Sequence, residues 1–163
     1  MIHVKDAGRG VGQIGAAPVP RRARKAIMYS NILIPIAGDT GVQTDDVIAI
    51  ARAIAAPGAK LTLMHVVERV PSYVASQIPP ELLGRASTES KEMLAAVAAR
   101  TGADMAQAVI TGHGARSILE FAEDNGSDCI VMRSHRPEFQ DVFFGSTAAH
   151  VVRHATCSVH VIR

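Results

Sequence analysis

From residue 31 onward, short apolar runs alternate with stretches whose apolar residues recur every three or four positions, and this alternation constrains the fold more than any other feature. The runs Asn31–Ala37 (NILIPIA), Lys60–Val67 (KLTLMHVV), Asp104–Thr111, Asp128–Ser134 (DCIVMRS) and Ser158–Arg163 (SVHVIR) read as strands. Residues 44–56 carry Val47, Ile48, Ile50, Ala51 and Ile54 at helical spacing, and Pro57-Gly58 is expected to stop that helix. Residues 81–101 place Leu82, Leu83, Met93, Leu94 and Val97 inward and end at Gly102. Ala115–Asn125 presents Ile118, Leu119, Phe121 and Ala122, with Asn125-Gly126 closing it, and Ser146–Ala155 presents Ala148, Val151, Val152 and Ala155. Strands that alternate with helices predict an α/β domain: one parallel sheet, right-handed crossovers and helices on both faces. The chain has no Trp and only 4% aromatic residues, so its core is aliphatic, as suits strands buried on both faces.

The first 30 residues read differently. Gly8–Gly15 is glycine-rich, Pro18 and Pro20 follow, and no hydrophobic period is present, which predicts a flexible leader over 1–30 and a folded domain over 31–163. Residues 1–27 hold six cations (Lys5, Arg9, Arg21, Arg22, Arg24, Lys25) against Asp6, a surplus of five. Against a whole-chain charge of +2, the remainder carries a surplus of three anions. A mildly acidic body argues against a nucleic-acid footprint, which needs a broad basic face. Cys129 and Cys157 sit in apolar strand-like runs with no CxxC pair, and read as buried, reduced thiols of a cytoplasmic protein. No apolar run approaches the ~20 residues of a membrane span, and the N-terminus lacks the apolar core of a secretory signal.

In an open α/β sheet, ligands bind beyond the carboxyl ends of the strands, where strand order reverses. That directs attention to the loops after the first and fourth strands. In the second of these, Gly145 lets a ligand approach the backbone, Ser146 is a good N-cap, and the start of the following helix offers free N–H groups to an anion. Arg133, His135 and Arg136 lie just upstream, where they could neutralise a phosphate. Spacing alone leaves open an ordinary capped helix after a solvated basic loop. His65, between apolar residues in a strand, reads as a satisfied core histidine. His150 and His154 share one helix face without an evident third metal ligand, and Asp45-Asp46 suits a helix dipole better than acid–base work. There is no G-x-S-x-G and no Gly-Lys-Ser/Thr, which leaves no case for a hydrolase triad or a Walker loop.

The run Ile130–Pro137, then Gly145-Ser146, Val151–Ala155 and Ser158–Arg163, resembles the C-terminal signature of universal stress proteins. Asn31–Ile36 resembles the first strand of that family, Leu63–Val67 its second, and Gly112 with Ile118 and Ala122 its third βα connection. The loop resembles that of a branch with Ser-His-Arg-Pro. The resemblance is collinear over about residues 31–163. It implies a single Rossmann-like domain of the adenine nucleotide alpha hydrolase type, with a five-stranded parallel sheet of order 3-2-1-4-5, and a homodimer. In nucleotide-binding members a pattern G-x₂-G-x₉-G-[S/T] wraps phosphates and ribose. Here Arg133 and Arg136 stand at the leading glycines, eight residues separate Arg136 from Gly145, and Ala37 stands where the family often has Asp, with Asp39 two residues on.

The function expected from residues and resemblance together is an adenine-nucleotide-binding regulatory module of the stress response, holding ATP or AMP, the former with Mg²⁺. Adenine would lie against Pro35, Ile36, Ala37 and Val66, bracketed by Met132 and Arg133. Phosphates would meet His135, Arg136, Gly145, Ser146 and Thr147. No general base stands out for catalysis, though slow ATP hydrolysis or self-phosphorylation is compatible with such a site. The alternative is a dimeric interaction protein with an empty or vestigial site. In both readings the last strand, Ser158–Arg163, is an exposed edge through which two copies pair.

Overall fold

A computed structural model describes residues 28–38, 42–71, 73, 80–102, 104–134 and 145–163. Residues 1–27 of the leader expected over 1–30, with Asp39, His135 and Arg136, lie outside the described residues, whereas Tyr29 and Ser30 belong to the first strand. Strands β1 (Tyr29–Pro35), β2 (Ala55–Glu68), β3 (Ala106–Gly112), β4 (Cys129–Arg133) and β5 (Ser158–Ile162) form one parallel sheet of order β3-β2-β1-β4-β5. Helices α1 (Val42–Ala53), α2 (Pro80–Thr101), α3 (Gly114–Asp124) and α4 (Ser146–His154) connect them. The expected five-stranded order is therefore present.

Burial explains why these runs became strands. Ile32, Leu33 and Ile34 of β1 and Ile130 and Val131 of β4 are fully buried, as the middle of a doubly covered sheet requires. One core cluster joins Ile32, Ile34, Leu63 and Val131 to Val47 and Ile48 of α1 and Leu94 and Val97 of α2. The second, on the opposite face, joins Leu33, Met64, Ile130 and Met132 to Ile118 of α3 and Val151 of α4. The Asp128 carboxylate fixes the start of β1: it accepts the N–H groups of Ser30 at 2.7 Å and Asn31 at 3.0 Å. Asp45, in the first turn of α1, accepts Nη2 of Arg100 at 2.7 Å and so clamps α1 to α2.

Several boundaries differ from the sequence expectation. Helix α1 ends at Ala53, and Pro57-Gly58 lies inside β2 rather than after a helix. The pairing of β1 with β2 jumps from Tyr29↔Ala55 to Asn31↔Lys60, so the Pro-Gly pair occupies an irregular stretch. A proline lacking an N–H and a glycine at φ 77° fit such a bulge. Ile50 and Val152 are exposed, because each lies at the margin of its helix's apolar stripe. Gly102 and Gly126, at φ 62° and 63°, end α2 and α3 as their positions predict.

The cysteines part company. Cys129 is fully buried in the first cluster, whereas Cys157 is half-buried, precedes β5 and packs on the second. Burial pushes the Cys129 thiol from 9.0 up to about 12, with Cys157 and Asp128 adding to the effect. Because the folded state holds this proton more tightly than the unfolded chain, the contribution is complete below pH 9.0 and is lost as pH rises towards 12. Thermal melts between pH 8 and 11 are therefore expected to show a steeper alkaline loss in the native protein than in Cys129→Ala. Parallel curves would contradict this.

Candidate functional site

The chain runs β1, β2, β3 outward in one direction and then returns to place β4 and β5 on the other side of β1. Connections to the left and right of β1 must diverge at its carboxyl end, and a cleft opens there. It has a volume of about 370 Å³. Pro35, Ile36, Ala37 and Gly38 supply one wall, Met64, His65, Val66 and Glu68 of β2 a second, and Met132 and Arg133 of β4 a third. Gly114 and Ile118 of α3, with Gly145, Ser146, Thr147 and Ala148 at the head of α4, complete it. The floor is apolar, and the ionisable groups among the described lining residues are His65, Glu68 and Arg133.

Local bonds hold the walls. The Ile36 N–H donates to Met64 O at 2.8 Å, which extends the β1–β2 pairing past Pro35. The Ile36 carbonyl lies 2.8 Å from Nδ1 of His65, so that nitrogen must carry the proton and donate. His65 is thus satisfied, as expected, but it also lines the cleft. The N–H of Gly145 donates to Ser134 Oγ at 3.4 Å and ties the head of α4 to the end of β4.

The head of α4 differs from the expected cap. Gly145 is the capping residue, with φ −52° and ψ 146°, and Ser146 is the first helical residue. The Gly145 carbonyl accepts the Ala149 N–H at 2.9 Å, the first bond of the helix. Ser146, Thr147 and Ala148 consequently point N–H groups out of the helix start, with no side-chain cap among the described residues. A second helix, α3, also starts at the cleft, and there the Gly114 N–H donates to Glu68 Oε1 at 3.1 Å.

Of the residues singled out from sequence, Pro35, Ile36, Ala37, Val66, Met132, Arg133, Gly145, Ser146 and Thr147 line this one cleft. Gly38, Met64, His65, Glu68, Gly114, Ile118 and Ala148 were not anticipated there. Period-two alternation from Val66 would have found Met64 and Glu68, and the apolar stripes of α3 and α4 contain Ile118 and Ala148. His150 and His154 do adjoin, with ring centroids 4.4 Å apart.

Comparison with known proteins adds the lineage. The profile of the universal stress protein family matches residues 28–163. The chain belongs to that family. A universal stress protein from Thermus aquaticus, encoded in a QAH/OAS sulfhydrylase 3′ region, is 30% identical over 138 residues, which is 83% of this chain and all of the relative. Universal stress protein UspA from Lactobacillus plantarum superposes with a TM-score of 0.66 at 27% identity, over 83% of this chain and 99% of that one. A universal stress protein from Archaeoglobus fulgidus, solved in complex with dAMP, superposes with a TM-score of 0.58 at 17% identity, over 83% and 99% of the two chains. The sheet of this universal stress protein, with its order β3-β2-β1-β4-β5, is the Rossmann-like arrangement of these neighbours.

Proposed function

We propose that this universal stress protein is an adenine-nucleotide-binding module of the stress response, and that the cleft at the carboxyl ends of β1, β2 and β4 is its nucleotide site. The observation that carries the reading is the convergence of an apolar cleft of about 370 Å³ with the start of α4, which has no side-chain cap among the described residues. An apolar slot with a few convergent polar groups is the usual form of a small-molecule site, and a helix start binds phosphate. The adenine ring would stack among Pro35, Ile36, Ala37 and Val66, with Met132 and Arg133 beside it. Phosphate would meet the N–H groups and hydroxyls of Ser146 and Thr147. The complex of the Archaeoglobus fulgidus neighbour with dAMP is consistent with an adenine nucleotide here.

ATP or AMP is the proposed ligand, ATP bringing its own Mg²⁺. The proposed role is to bind rather than to turn over, in the cytoplasm. Gentle purification followed by mass spectrometry of the small molecules released on heating tests this. AMP or ATP in near-stoichiometric amount is the expected result. No adenine nucleotide, with no heat on titration, would favour a dimer that acts by contacts alone.

The assembly proposed is a homodimer joined through β5. Ser158 N–H donates to Asp128 O at 3.3 Å and Ile162 O accepts the Ser134 N–H at 2.9 Å, so residues 158 and 162 face β4. Alternation along the strand then directs the backbone groups of Val159 and Val161 to the open edge. An edge of this kind is normally paired or covered. Val161→Pro would remove an outward N–H without breaking the β4–β5 ladder. Light scattering at micromolar concentration is expected to give a dimer for the native chain and a larger monomer fraction for the variant. A monomeric native chain would overturn the assembly.

A further inference from the structure

Glu68 is the one carboxylate among the described residues that line the cleft. It lies on the strand face of Met64 and Val66, at the last position of β2. Its Oε1 accepts the Gly114 N–H at 3.1 Å, at the start of α3, and its Oε2 lies 3.8 Å from Nδ1 of His113. A Cβ placed on Gly114 would stand 3.2 Å from Glu68 Oε1 and 3.8 Å from Thr147 Oγ1. The carboxylate and the first turn of α4 therefore converge on one point at the mouth of the cleft.

The two helix starts are thus not equivalent. The positive end of α3 is already matched by an internal anion, whereas that of α4 has no side-chain cap among the described residues. A single phosphate can be satisfied at α4. Each further phosphate adds negative charge to the cleft that Glu68 lines beside Thr147, and like charges at this range repel. We propose that Glu68 sets the number of phosphates the site accepts, favouring an adenosine monophosphate over an uncomplexed triphosphate. This role rests on the nucleotide reading of the cleft and adds a selectivity element to it. The Glu68 side chain is 71% exposed, so the repulsion is screened by salt.

Calorimetric titration of the full chain with adenosine, AMP and ATP, in EDTA at low salt, tests the proposal against Glu68→Gln and Glu68→Ala. Glutamine keeps an oxygen to accept the Gly114 N–H and loses only the charge. Alanine loses both, which separates charge from the helix cap. In both variants ATP affinity is expected to rise about three- to tenfold, AMP affinity less, and adenosine affinity not at all. The gain for ATP is expected to shrink at 0.5 M salt, about a 4 Å Debye length. An unchanged ratio of ATP to adenosine affinity, or equal changes for all three ligands, would overturn the role of Glu68 while leaving the nucleotide site intact. Absence of heat from every ligand in all three proteins would overturn the nucleotide reading itself, and the role of Glu68 with it.

Discussion

Gly145→Val is expected to abolish nucleotide binding, a loss of more than about a hundredfold, while the fold survives. The backbone at Gly145 has φ −52° and ψ 146°, a region open to every L-residue. Glycine is therefore not required there by conformation, and what it supplies is room. Gly145 itself lines the cleft, at the head of the helix whose N–H groups would hold phosphate. A branched side chain at that point competes with the ligand for space. Melting by circular dichroism is expected to change by less than about 4 °C, the equivalent of roughly 1 kcal/mol in a domain of this size. Calorimetry with AMP provides the binding readout. Retained affinity within about threefold would show that Gly145 does not border the ligand.

The largest effect on stability is expected from Leu33→Ala. Leu33 is fully buried in the central strand, paired with Thr62 on one side and Ile130 on the other. It packs with Met64, Ile118, Ile130 and Val151, residues of two further strands and two helices. Truncation removes its burial and leaves a cavity that neighbours in a covered sheet cannot readily fill, which costs about 2–5 kcal/mol. Against a total of roughly 5–15 kcal/mol, that is a large fraction of the stability. The melting temperature is expected to fall by roughly 5–20 °C. A fall below about 2 °C would mean that the two sheet faces are packed much less tightly than the buried areas indicate.

Most of the architecture was legible because each local signal agreed with the global fold. Ile32 to Ile34 could only be a strand covered on both faces, and Gly102 and Gly126 ended their helices at positive φ as expected. Pro57-Gly58 misled because the same dipeptide serves a helix stop and a bulge, and only the register between β1 and β2 distinguishes them. Ile50 and Val152 share the apolar spacing of their helices yet are exposed, because a stripe of apolar spacing does not say how wide the covered face is. The site was legible to the extent that strand ends were. Pro35 to Ala37 and Met132-Arg133 follow from the switch-point rule, and Gly145 to Thr147 from the glycine and hydroxyl pattern. Glu68 and Gly114 come from elements far apart in sequence, and no local signal announces that a carboxylate of β2 caps α3. The sequence marks His65 as a satisfied core histidine but not as part of the wall, because its partner, the Ile36 carbonyl just past β1, is remote in sequence.

The central claim, that an adenine nucleotide occupies the cleft above β1, β2 and β4, is tested most directly by amide chemical-shift mapping of the full chain titrated with AMP. Saturable shifts are predicted at Ile36, Ala37, Val66, Met132, Arg133, Gly145, Ser146 and Thr147, with β3 and the outer face of α2 unmoved. Shifts confined to other surfaces, or none up to millimolar AMP, would contradict the account.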